Sequence, residues 1–379
     1  MAKPQLGLLL VGGGARAAYQ VGALKAIAEF YPRNHGSPFT IITGTSAGAI
    51  NCCALACYAS CFRLGVKKLE YIWNNFHTNQ VIECRFPQLL HHLLCSLAER
   101  CRSPHYERQA VSLLSNKPLQ QLLQHHLDMR RIDRNIQHNH LTALSISASD
   151  YSSGDSISFF QGRADIKEWQ RARRSGRRSR LHSQHLLASS AIPLLFPCSQ
   201  IGPDFYGDGS VHQLSPLSPA IHLGAEKLLV IGVEQPLLQP QGVRQTPSAA
   251  DIAGHLLDTI FTDTLNADIE RLQRINETFS AIPIDLQHQQ AIKHIGLFSL
   301  CNEHDINAIA NQYFHDLPLS IRLLLAGIGV TNRSQSSLSS YVMFEQNYTR
   351  KLMQLGYQDV LARESDIRQF LGLTSPAAQ

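Results

Sequence analysis

Two residues of this chain are suited to act together: a serine in Gly44-Thr45-Ser46-Ala47-Gly48 and an aspartate in Gly207-Asp208-Gly209. The first stretch has the G-x-S-x-G pattern of a nucleophile elbow. It lies between a short β-branched run, Phe39 to Thr43, and a long apolar segment beginning near Ala47. Such a turn projects a serine hydroxyl at a helix N-terminus, and Gly44 and Gly48 relieve the crowding around it. A serine hydroxyl is a poor nucleophile until a base takes its proton. Asp208, flanked by glycines and preceded by Phe205 and Tyr206, can approach another backbone closely and serve as that base. The other candidate is a histidine, in the chain order Ser, Asp, His. His212 follows Asp208, but none of the 18 histidines stands in a context that singles it out. Each residue also has a plain reading alone, Ser46 as a helix N-cap and Asp208 as a turn residue.

A glycine-rich turn precedes both, in Val11-Gly12-Gly13-Gly14-Ala15-Arg16. It separates an apolar run from a helical pattern with Val21, Leu24, Ala28 and Tyr31 on one face. Such a turn holds something negative: nucleotide phosphates or a reaction oxyanion. Gly12, Gly14 and Ala17 fit the G-x-G-x-x-G/A fingerprint of a nucleotide-binding protein. That site also needs an acidic residue at the end of the next strand. Here the next strand runs into Ser46, and Glu29 lies inside the first helix. The oxyanion reading needs no such partner. Backbone N–H groups around Gly13 to Ala15 can point at an oxyanion, each worth about 3 kcal/mol in the transition state. The helix starting near Ala47 adds a partial positive charge. Arg16 either screens the oxyanion, holds the loop, or faces solvent.

The glycine loop, the elbow and the Asp turn occur in that order. With the segment Ala188 to Pro197 ("ASSAIPLLFP") and the run Pro216 to Val233, the chain resembles the patatin-like phospholipases over about its first 235 residues. The resemblance implies an α/β chain with a three-layer α/β/α fold and lipid acyl hydrolase activity of the phospholipase A or lysophospholipase type. It implies Ser46 as nucleophile and Asp208 as base, with Gly209 and Ser210 completing the Asp turn. Gly12, Gly13, Gly14, Ala15 and Arg16 would form the oxyanion loop. No cofactor and no metal are implied; the substrate is a lipid ester. A Ser-His-Asp esterase and a lipid acyltransferase are the alternatives. The chain departs from the family at Ala17, where glycine is usual, and at Ser210, where glycine or alanine is usual. Alanine at a positive φ would cost about 1 kcal/mol; the expectation is that Ala17 begins a helix instead.

The net charge of +5 is local. Six arginines, Arg171, Arg173, Arg174, Arg177, Arg178 and Arg180, lie in one stretch; without them 28 basic residues face 29 acidic ones. The patch is read as a solvated loop or as a surface for anionic lipid. Nucleic acid is excluded as a partner, since no aromatic residues interleave and no binding motif is present. Nine cysteines include Cys52, Cys53, Cys57 and Cys61 on the helix after the elbow, but no C-x-x-C pair. They read as small apolar packing residues and, as reduced thiols, suggest a cytoplasmic protein. No run of 18 apolar residues predicts a membrane span, and the leading apolar run is too short for a signal peptide. His138 to His140 reads as a surface loop.

The elements that must position these residues follow from periodicity. Strands are predicted at Gln5 to Val11, Phe39 to Thr43 and Lys227 to Glu234, with a hairpin over Leu141 to Phe160. Helices dominate from Ala47 to Leu127 and should flank the site. A proline- and glutamine-rich linker after Glu234 divides a catalytic domain, 1–235, from a mainly helical C-terminal region, 236–379. That region is expected to hold helices from Ser248, over Asp305 to Phe314, Leu319 to Ala326, Leu338 to Leu355 and Val360 to Leu371. One more strand is expected at Phe279 to Ile284, and packing on the core is the default for the helices.

Overall fold

The computed structural model describes residues 4–83, 112–193, 195–234, 236, 249–260, 264–287, 293–331 and 336–373. The predicted linker after Glu234 lies almost wholly outside them. The centre is one mixed sheet in the order β10-β9-β1-β2-β3-β4-β6-β5. Its strands are β1 (Leu6–Leu10), β2 (Ile41–Thr45), β3 (Ala143–Asp150), β4 (Ser156–Gly162), β5 (Trp169–Arg171), β6 (Arg174–Arg178), β9 (Lys227–Ile231) and β10 (Gly296–Leu300). A short hairpin of β7 (Ser199–Ile201) and β8 (Asp204–Asp208) joins it through β3. From β10 to β3 the strands run parallel; β4 turns antiparallel to β3. Parallel central strands are covered on both faces, which is why β1 reads as an unbroken apolar run. Leu8, Leu9 and Leu10 are all buried.

The covering helices are α1 (Ala18–Glu29), α2 (Ser46–Cys57), α3 (Phe62–Asn74), α4 (Lys117–His126), α5 (Arg130–Gln137), α6 (Ser183–Ser189) and α7 (Ser218–His222). Beyond residue 248 come α8 (Ala249–Asp258), α9 (Thr264–Ser280), α10 (Ile284–Gln287), α11 (Ile306–Gln312) and α12 (Leu319–Gly327). The chain ends with α13 (Leu338–Val342), α14 (Gln346–Ala362) and α15 (Glu364–Leu371). Helices flank the central sheet as a three-layer α/β/α arrangement requires, and the C-terminal part is mainly helical. Among the described residues no helix is long and apolar enough to cross a membrane.

The C-terminal part packs on the core. Helix α14 lies against α1 so closely that a Cβ at Gly22 would sit 1.8 Å from the Met353 carbonyl oxygen, and one at Gly356 would sit 2.1 Å from that of Tyr19. The strand expected at Phe279 to Ile284 is not formed: α9 runs through Ser280 and α10 begins at Ile284. The strand of this region is β10, which completes the sheet edge beside β9. The helix expected over Leu338 to Leu355 is broken between Val342 and Gln346, where Glu345 turns back to accept the Thr78 N–H and to face the His77 ring. The arginine stretch is not a loop. It forms the edge hairpin β5–β6, with Arg173 in a left-handed turn at φ 59°. The cysteines of α2 are buried free thiols, and Cys61 stands just ahead of α3.

Candidate active site

Strand β3 brings the two chemical residues together. Its first residues pair with β2, ending at Thr45 opposite Ser147. Its last residues pair with β8, with Ala148 opposite Asp208. Strand β4 occupies the other edge of β3 over the same span. Hence β8 continues the lane that β2 leaves, and Asp208 arrives at the C-terminal end of β2, where Ser46 begins α2. Gly44 is a strand residue, so β2 runs two residues further than Phe39 to Thr43 suggested.

Ser46 has φ 54°, a left-handed conformation that non-glycine residues rarely adopt. This is the strained turn expected of an elbow. Its neighbour Gly48 has no room for a side chain: a Cβ there would lie 2.3 Å from the Leu10 carbonyl oxygen and 2.5 Å from that of Val11. The first turn of α2 therefore rests on the end of β1, where the glycine loop starts. Gly14 itself lines the same cavity as Ser46. Ala17 ends a 3-10 turn, Gly14–Ala17, and caps α1 with φ −63°, so the backbone there does not call for glycine.

Asp208 is fully buried. Its Oδ1 accepts the Ser210 N–H at 2.9 Å. Among the described residues Oδ2 has no hydrogen-bond partner of regular geometry, although Ser46 stands close enough to favour the ionised carboxylate. Burial outweighs both contacts and pushes the Asp208 carboxyl up from 3.8 to about 6. His212 is held through its backbone N–H to Ser149 Oγ, and its Nδ1 has no partner among the described residues.

Arg16 is neither solvent-facing nor bonded to loop carbonyls. It is buried, and its guanidinium meets Asp258 at 3.0 Å, Ser340 Oγ at 2.9 Å, Asn307 Oδ1 at 3.1 Å and the Tyr341 hydroxyl at 3.1 Å. All four lie beyond residue 250. Against Ser46 opens a cavity that Gly14, Ser190 and Tyr341 also line. Its walls are apolar, with Trp73, Phe76, Leu123, Ile192, Phe196 and Phe344 among them. Trp73 and Phe76 stack at 5.0 Å, and Phe344 joins them from the C-terminal part. Such walls suit an acyl chain and not polyphosphate. The arginines lie on the sheet edge: Arg174 donates to Ser218 Oγ, Arg177 to the Tyr206 hydroxyl and Arg178 to the Gly162 and Arg163 carbonyls. Arg171, Arg173 and Arg180 are exposed. Sequence reasoning missed Trp73, Phe76 and Phe344 of the wall and the partners of Arg16, because none of them lies near a motif.

A mixed sheet flanked by helices, with a left-handed serine at a strand–helix turn beside a buried aspartate, defines an α/β protein of three layers. The patatin-like phospholipase family model matches residues 8–221, more than half of the chain, and the chain belongs to that family. Lipid acyl esters are the substrates on which the family acts. No curated sequence relative matches. Among solved structures, the crystal structure of VipD from Legionella pneumophila is similar at a TM-score of 0.40 and 12% identity, over 98% of this chain and 67% of that one.

Proposed function

We propose that the chain is a lipid acyl hydrolase working through a Ser46–Asp208 dyad and an acyl-enzyme. Asp208 Oδ2 takes the proton of Ser46 Oγ as that oxygen attacks the ester carbonyl carbon. The carbonyl oxygen becomes an oxyanion, stabilised by backbone N–H groups of the Gly12–Ala15 loop. The N–H of Ser46 itself is engaged by Ser189 Oγ at 2.9 Å, so it is not a donor to the oxyanion. Collapse of the intermediate breaks the C–O bond to the alcohol, and Asp208 returns the proton to the leaving oxygen. Water then repeats the attack on the acyl-enzyme, with Asp208 again as base, and frees the fatty acid.

The observation that carries this reading is Asp208: buried, its Oδ2 without a regular hydrogen bond, and its carboxyl raised to about 6 with Ser46 close by. A base with that value is ionised at neutral pH yet basic enough to accept a proton. The acyl chain is proposed to lie in the apolar cavity. Arg171 and Arg173 of the edge hairpin, with Arg180 just beyond it, are proposed to meet an anionic lipid surface. We assign the chemistry to residues 1–235, with the part beyond the linker bracing the loop through Arg16. The test is ester hydrolysis by Ser46→Ala, Asp208→Asn and His212→Ala proteins of unchanged circular dichroism. The first two should lose activity and the third keep it. Activity in Ser46→Ala ends the proposal, and a loss in His212→Ala equal to that in Asp208→Asn favours the triad.

A further inference from the structure

The segment Ala188 to Pro197 holds a serine that touches both halves of the site. Ser189 ends α6 and is fully buried. Its Oγ donates to the Ser147 carbonyl at 2.6 Å. With its one proton committed there, the same oxygen accepts the Ser46 N–H at 2.9 Å. Its own carbonyl accepts the Gly209 N–H at 3.1 Å, and two residues on the Ala191 carbonyl accepts the Asp208 N–H at 2.9 Å. One residue from a third element is thus bonded to the backbone of the nucleophile, to the strand between, and to the turn beside the base.

We propose that Ser189 is a positioning residue: it holds Ser46 in its left-handed conformation and in register with Asp208. The inference rests on the Ser46–Asp208 reading. Its physical basis is the strain at Ser46. A non-glycine residue at φ 54° relaxes unless its surroundings hold it. The hydroxyl of Ser189 is a buried acceptor aimed at that backbone N–H. The neighbouring Ser190 does not share the role, because its Oγ turns back to the Leu186 carbonyl at 2.7 Å. Without the Ser189 acceptor, Ser46 Oγ drifts from Asp208, and a displacement near 1 Å costs about 100-fold in rate.

The test uses Ser189→Ala and Ser189→Cys in the full chain, with a soluble short-chain ester. Alanine is smaller than serine and has no acceptor, whereas cysteine is larger and a weak acceptor, so an effect shared by both comes from the lost hydrogen bond and not from the change in volume. Expected for both is a fall in kcat of about 10- to 100-fold, with KM within about twofold, since the cavity is untouched. The acid limb of the pH–rate profile should also move upward, because the nearby Ser46 hydroxyl now favours the ionised Asp208. If the alanine protein does not fold, the cysteine protein decides. A cysteine protein with wild-type kcat and an unmoved acid limb overturns the inference. Ser46→Ala is measured alongside: if it retains activity the dyad itself fails, whereas an inactive Ser46→Ala beside a fully active Ser189→Cys removes only the role of Ser189.

Discussion

Replacing Asp208 by asparagine should abolish hydrolysis and make the fold more stable at neutral and alkaline pH. Asp208 is fully buried and its carboxyl lies at about 6 instead of 3.8. A folded-state value above the unfolded one means that the folded protein holds the proton more tightly. The stability so gained is full below about pH 4 and is lost as pH rises through 6. By pH 8 the ionised carboxylate has cost on the order of 3 kcal/mol. An asparagine at this site has no charge to desolvate. Its amide oxygen can keep the Ser210 N–H contact made by Oδ1, and its amide hydrogens can face Ser46. The assay is the urea midpoint of wild type and Asp208→Asn between pH 4 and pH 8.5, under reversible conditions. The midpoints should differ little near pH 4 and diverge in favour of the variant above pH 6. A pH-independent difference, or a variant less stable at pH 8, would refute the view of Asp208 as a desolvated buried base.

Three further outcomes are expected. The kcat/KM of a soluble ester should fall on the acid side with an apparent pKa near 6, read from a pH–rate profile between pH 4 and pH 9; a limb near 4 would mean that Asp208 is not the titrating base. Asp258→Ala removes the counter-charge of the buried Arg16 guanidinium, which should cost about 3 kcal/mol in thermal or urea stability. It should also lower kcat by loosening the loop that Arg16 follows. Replacing Arg171, Arg173 and Arg180 together by glutamine should weaken binding to anionic vesicles at least tenfold at low salt, from about 1 kcal/mol per cation near the surface. The difference should vanish at high salt, and soluble-ester turnover should be unchanged.

What the sequence reveals of this site is what local chemistry dictates. The glycine loop, the elbow and the Asp turn are legible because each needs particular residues within a few positions: Gly48 because its helix lies on Leu10 and Val11, Gly14 because its φ is 54°. The β3–β4 hairpin and β1 follow from alternation and from an unbroken apolar run. The β5–β6 hairpin does not, because its arginines hide any apolar alternation and its strand character comes from pairing with β4. Phe279 to Ile284 and β10 are similar short apolar runs, and only tertiary pairing with β9 makes the second one a strand. The environment of Arg16 was out of reach for the same reason: its partners lie more than 240 positions away. The role of Ser189 stood in a visible motif, yet nothing in its spacing says that its hydroxyl accepts the Ser46 N–H.

The measurement that bears most directly on the dyad is covalent labelling with a fluorophosphonate ester, followed by mass-spectrometric mapping of the adduct. Phosphonylation at serine needs the same activated oxygen and the same oxyanion donors as ester hydrolysis. A single adduct on Ser46 is expected, formed rapidly in the wild type, slowed by orders of magnitude in Asp208→Asn, and absent in Ser46→Ala. An adduct on another residue, or equal labelling rates in the wild type and Asp208→Asn, would contradict the Ser46–Asp208 mechanism.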